Sequence, residues 1–244
     1  MPFTFSHPAA VLPLTYLPKR WISITGLVIG SLVPDFEYFL RMRVYSSYSH
    51  TWMGLFWFDL PLTIILAFIF HLIVRDSLID NLPKFLNRRL LVFKNFNWTR
   101  HFKENILIVI ASILFGVATH ILWDNFTHEH GQFVQSIEGL QNTFTIAGYL
   151  IPAYKILQHT STIIGGLIII FALFHLPKDI SQTEKKSVFP FWLLVSMITL
   201  AVLAGRLLTG LDYRQYGNLI ITMITGGLIG LVLTPKLIAL NFKG

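Results

Sequence analysis

Read for its polar and apolar positions, the chain is a series of long apolar runs joined by shorter polar stretches. Six runs reach or approach the roughly 20 residues that cross a bilayer as a helix: Trp21–Leu40, Trp52–Val74, Ile106–Trp123, Thr160–Leu176, Phe189–Leu208 and Leu219–Leu240. They predict an all-α, polytopic transmembrane helical bundle with six long spans. A seventh stretch, Phe3–Leu17, is shorter and broken by Pro8 and Pro13; as a helix it would cover only about 22 Å. It is expected to be a short or re-entrant N-terminal helical segment. The basic stretch 75–105 reads as a cytoplasmic loop carrying an interfacial helix. No internal repeat or low-complexity tract stands out, so residues 1–244 are expected to form a single integral membrane domain.

Composition agrees with that pattern. Hydrophobic residues make up 54% of the 244 and charged residues only 13%, with a mean hydropathy of +0.62, whereas a soluble domain carries about 25% charge. Such a chain cannot cover itself with polar surface in water. The excess of 19 Lys and Arg over 12 Asp and Glu fits membrane orientation and contact with anionic lipids rather than nucleic acid. There is no cysteine, which excludes disulfides, thiolate metal sites and a cysteine nucleophile, so any metal must be held by nitrogen and oxygen. The first eight residues lack a basic region and a cleavage site, and no removable signal peptide is expected.

The basic residues assign the sides. One side collects Lys19 and Arg20, the seven between Arg75 and Lys103, then Lys178, Lys185, Lys186, Lys236 and Lys243, which is 14 of the 19. The other side has Arg41, Arg43, Lys155, Arg206 and Arg214. The richer side is taken as cytoplasmic. Trp21 and Trp192 then mark the inner interface, and Trp52 and Trp123 the outer one.

With the sides fixed, ionisable residues near the span ends gather on the outer side. Asp35 and Glu37 lie in Val33-Pro34-Asp35-Phe36-Glu37-Tyr38, where Pro34 interrupts the helix. His50 precedes the second span, His120 and Asp124 close the third with His128 and His130 beyond, and His159 opens the fourth. His120 and Asp124 are i and i+4, so both can face one point. An ionisable group inside a span costs about 2.5–3.5 kcal/mol, so Asp35, Glu37 and Asp124 are expected to face the interior and to be paired, protonated or metal-bound. Imidazole nitrogen with carboxylate oxygen suits zinc, and also iron or manganese. The plainer alternative is that interfacial histidines act as hydrogen-bonding anchors, and that His128 to His130 form a solvated loop; it is the preferred reading for His71, His101 and His175. His7 belongs with the outer group only if Phe3–Leu17 crosses or half-crosses from outside, an arrangement of seven segments with the N-terminus out. Arg206 and Arg214 could grip a phosphate, or simply snorkel to head groups. Gly165-Gly166, Gly226-Gly227 and the Gly226/Gly230 spacing suit close helix packing.

At these residues the chain resembles a bacterial membrane family catalogued as domain of unknown function 4184 (DUF4184). The resemblance rests on Phe3-Thr4-Phe5-Ser6-His7-Pro8-Ala9-Ala10, Gly30 to Phe39, Tyr48-Ser49-His50-Thr51, Thr119 to His128 and Gln158-His159-Thr160-Ser161. More distantly the pattern is similar to predicted inner-membrane metal-dependent hydrolases, with an N-terminal His, a Pro-Asp-x-Asp, a Thr-His-Ser and a His-x-x-x-Asp element. On this chain those elements fall on His7, on Asp35 with Glu37, on His50, and on His120 with Asp124. Glu37 stands where the second Asp is expected, and Thr51 where the Ser is.

The resemblance implies a membrane-embedded hydrolase of the bacterial inner membrane that cleaves an ester or phosphoester, lipid-linked or otherwise amphipathic, at the extracytoplasmic face. A divalent metal, zinc first, would be held by His7, Asp35, His50, His120 and Asp124, with His128 and His159 as additional candidates. Asp35 and Glu37 are the candidate catalytic carboxylates, Glu37 as orienter or general base, and Arg206 with Arg214 would bind substrate. The alternative is a non-enzymatic membrane protein, a transporter or assembly factor with a structural metal or polar cluster. Expected partners are membrane lipids and a lipid-like substrate, not nucleic acid. Substrate, metal identity and oligomeric state stay open.

Overall fold

The apolar runs fold into helices in the computed structural model, which describes residues 3–179 and 187–241. Of the basic residues used to assign sides, Lys185, Lys186 and Lys243 lie outside the described residues. The chain divides into two compact units. The first comprises residues 1–35, 48–64 and 102–174, and the second residues 36–47, 65–101 and 175–244.

The N-terminal segment forms two 3₁₀ turns, Thr4–Ala10 and Leu12–Tyr16. Its prolines withhold backbone donors and prevent a continuous α-helix. The run expected as the first long span is likewise discontinuous. It forms α1 (Ile24–Gly30), a 3₁₀ turn over Val33–Asp35 and α2 (Phe36–Arg41). Ser23 caps α1 by accepting from the Gly26 N–H, and Pro34 cannot donate into the helix before it. Five other stretches are long and apolar enough to cross a membrane among the described residues, one fewer than the pattern suggests, because this run is broken.

The next span, Leu55–Asp80, has α3 (Leu60–Ile69) flanked by π-helical turns at Leu55–Asp59 and Phe70–Val74, and ends in α4 (Arg75–Asp80). The basic stretch that follows is folded rather than loose, with α5 (Lys84–Leu90), a 3₁₀ turn and α6 (Trp98–Glu104). Arg75 donates to the carbonyls of Phe96 (2.6 Å) and Lys94 (3.1 Å), and Asn87 Nδ2 donates to the Ile79 carbonyl at 2.7 Å.

In the first unit α7 (Ile106–Thr127) is the central post. After it come α8 (Gln132–Ser136), α9 (Glu138–Gln141) and an antiparallel hairpin of β1 (Thr143–Ile146) and β2 (Tyr149–Pro152). Ala147 (φ 48°) and Gly148 (φ 84°) make its two-residue turn, and two positive φ values match the right-handed twist of the strands. The sequence reading predicts no strand here. The helix α10 (Ala153–His175) completes the unit up to Phe174. In the second unit α11 (Phe189–Leu208) and α12 (Tyr216–Asn241) pack along each other. A Cβ on Gly226 would lie 2.8 Å from the Thr199 Cα, and one on Gly230 3.1 Å from the Val195 Cα, so the small-residue spacing does bring two backbones together. Gly166 and Gly227 meet nothing so close.

Candidate metal centre

The site is assembled on α7 by close backbone contact. A Cβ on Gly30 would lie 2.6 Å from the Ile113 carbonyl oxygen, and one on Gly116 2.5 Å from that of Leu27. With both residues glycine, α1 lies directly against α7. The contacts also fix direction: the Ser23 N–H donates to Ser112 Oγ (2.8 Å), and His120 Nδ1 donates to the Ser31 carbonyl (2.7 Å). The chain therefore climbs α7 in parallel and delivers Asp35 beside His120.

His7 reaches the same place from the other direction. Its ring stacks on His120, with centroids 3.7 Å apart and an interplanar angle of 14°, and by Ser23 the chain has reached the level of Ser112. That descent spans eight residues of α7, about 12 Å. The N-terminal segment thus goes down along α7 and α1 returns, as in the arrangement that places His7 with the outer group.

Four side chains surround one point. His50 Nε2 lies 3.5 Å from Asp35 Oδ1 and 3.4 Å from Asp124 Oδ2, and His120 Nε2 lies 3.6 Å and 3.4 Å from the same two oxygens. One ligand atom from each of Asp35, His50, His120 and Asp124 falls within 4.8 Å of all the others. His120 and Asp35 are completely enclosed, Asp124 is buried and His50 is half-buried. Ligands bonded to one ion at about 2.1 Å stand about 3.4 Å apart at tetrahedral angles. The four nitrogen-to-oxygen distances match that separation and exceed a good hydrogen bond.

Hydrogen bonding around the rim orients these groups. The Ser31 carbonyl can only accept, so His120 carries a proton on Nδ1 and turns Nε2 to two carboxylate oxygens. Thr4 Oγ1 donates to Asp35 Oδ2 at 2.5 Å, leaving Oδ1 to face the centre, and Ser49 Oγ lies 3.0 Å from His50 Nδ1. His120 Nε2, Asp35 Oδ1, Asp124 Oδ1 and His7 Nε2 are buried without a hydrogen-bond partner. Acceptors turned toward acceptors in a dry interior are unfavourable unless a cation or proton lies between them. The cluster can therefore hold a metal ion.

The remaining candidates divide. His128 Nδ1 lies 3.6 Å from Asp124 Oδ1 and 3.0 Å from the Asp124 carbonyl. His159 is exposed on α10, and its neighbour Gln158 is the buried residue. Glu37 is buried, but its Oε1 pairs with Arg41 (2.7 Å) and accepts from the Ser47 N–H (2.9 Å), tying α2 to the loop after it. Arg206 and Arg214 belong to the second unit, whereas the His and Asp cluster belongs wholly to the first. Arg214 lies over the Tyr213 ring, and its N–H donates to Asp212 Oδ1. Sequence reasoning does not single out Thr4, Ser31 or Ser49, although all three sit inside the quoted motifs. Nor does it single out Asp59, fully buried within the second apolar run.

The profile of the DUF4184 family, a domain of unknown function, matches residues 1–235, and the chain belongs to that family. No curated protein and no solved structure matches it.

Proposed function

We propose that this DUF4184 member is a membrane-embedded, metal-dependent hydrolase acting on an ester or phosphoester of a lipid-like molecule at the extracytoplasmic face of the bacterial inner membrane. The observation that carries this reading is the set of buried ring nitrogens and carboxylate oxygens of Asp35, His50, His120 and Asp124 turned toward one another at 3.4–3.6 Å. Two imidazoles and two carboxylates suit zinc, with iron or manganese as alternatives. A divalent ion there would polarise a scissile carbonyl or phosphoryl group and lower the pKa of a bound water toward 7. The chain's own part is to fix the ligands: Ser31 sets the His120 tautomer, and Thr4 sets the Asp35 rotamer.

A groove of about 300 Å³ supports a lipid-like substrate. Ala9, Ala10, Trp123, Leu157, Ile164 and Ile168 make it largely apolar, and His7 stands in its wall. An acyl chain lying in it would bring its head group to the histidine cluster. A purely structural ion would need no such groove beside it.

The test is to incubate purified, tag-free protein with a total lipid extract of bacterial membrane and measure released fatty acid and phosphate. Release should stop with a chelator or in His120→Ala, and return when zinc is restored to the wild type. No metal-dependent release from any lipid fraction would remove the hydrolase reading while leaving the metal site standing.

A further inference from the structure

The Asp124 carboxylate faces two groups of ligands, and only one is used by the four-residue centre. Its Oδ2 lies 3.4 Å from both His50 Nε2 and His120 Nε2. Its Oδ1 lies 3.6 Å from His7 Nε2 and 3.6 Å from His128 Nδ1. His7 Nε2 and Asp124 Oδ1 are both buried without a hydrogen-bond partner, and His128 Nε2 is in the same condition. The His7 side chain is only 3% exposed, so water does not satisfy it from bulk solvent.

From this geometry we infer a second metal position beside the first, held by His7 Nε2 and Asp124 Oδ1 with His128 at its edge, so that Asp124 bridges two ions. The inference rests on the first centre holding an ion. Asp124 Oδ2 faces His50 and His120 while Oδ1 faces His7, the arrangement a bridging carboxylate requires; His128 Nδ1 donates to the Asp124 carbonyl (3.0 Å) and leaves its buried Nε2 free. Two-metal hydrolytic sites place their ions about 3.5–4 Å apart, a separation one bridging carboxylate can span. His7 lines the apolar groove, so the second position is the one beside a lipid-like substrate lying there. This gives His7 a role apart from the four-residue set and accounts for its stacking on His120.

The test uses intact, tag-free protein loaded with manganese and read by elemental analysis and electron paramagnetic resonance. Two ions per chain with an exchange-coupled spectrum are expected. His7→Gln should bind one ion and give an uncoupled signal, whereas His159→Gln should keep two. One uncoupled ion in the wild type would overturn the second position and leave the proposed function intact, and two coupled ions persisting in His7→Gln would overturn the role of His7. No ion at all would sink both readings. The wild-type spectrum decides the matter even if His7→Gln fails to fold.

Discussion

At the scale of single residues, the candidate ligands are legible in the sequence but the groups that aim them are not. Histidines and carboxylates in a chain this apolar announce themselves by cost, and the i, i+4 spacing of His120 and Asp124 places both on one face. Thr4, Ser31 and Ser49 carry no such signal, because a hydroxyl or a carbonyl becomes a positioning group only once the fold sets it opposite a ligand. Thr4→Val should free Asp35 Oδ2 and weaken metal affinity about 10–100-fold, read by competition with a chelating dye; unchanged affinity would show that Asp35 needs no orienting partner. His50 adds a pH dependence. Burial opposes charge on its ring, but the Asp124 and Asp35 carboxylates facing it outweigh burial and raise the pKa to about 10. In the metal-free protein the charged ring contributes stability that is full below its ordinary value of 6.5 and lost as pH rises through about 10. An ion must displace that proton, so affinity should fall roughly tenfold per unit between about pH 8 and 6. Calorimetry in buffers of different ionisation enthalpy should detect about one proton released; pH-independent binding would contradict this.

At the scale of elements, hydrophobic length is a good guide to helices and a poor one to their continuity. The run Trp21–Leu40 is long enough to span, yet Pro34 and the close seat of Gly30 on α7 break it into α1, a 3₁₀ turn and α2. That break puts Asp35 at the centre. Gly116→Val would drive a side chain into the backbone of α1 at Leu27 and Ser31. It should cost about 1–3 kcal/mol and lower both the thermal midpoint in detergent and the bound metal; retention of both would mean α1 does not depend on this contact. The hairpin offers the converse control. Its Thr-Phe-Thr-Ile and Tyr-Leu-Ile-Pro flanks are β-prone, a signal overshadowed by the longer apolar runs. Gly148→Val meets no neighbour but must hold φ 84°. It should cost about 1–2 kcal/mol with metal content unchanged.

At the scale of the whole molecule, the distribution of basic residues gives an expectation of sidedness, while the path of the N-terminal segment becomes clear only when Ser23, Ser112, His7 and His120 are seen together. Because the chain has no cysteine, sidedness can be read with single substitutions at exposed positions. Glu129→Cys should react with a membrane-impermeant maleimide in intact spheroplasts, and Lys84→Cys only after permeabilisation; the reverse pattern would place the histidines in the cytoplasm. A metal-dependent function requires the buried Asp and His groups to meet around an ion. X-ray absorption at the edge of the metal that co-purifies with tag-free protein addresses this most directly. The expected result is a nitrogen and oxygen shell at about 2.0–2.2 Å with outer-shell scattering from imidazole rings, diminished in His120→Ala. A protein carrying no stoichiometric metal, or a metal with no imidazole scattering, would contradict it.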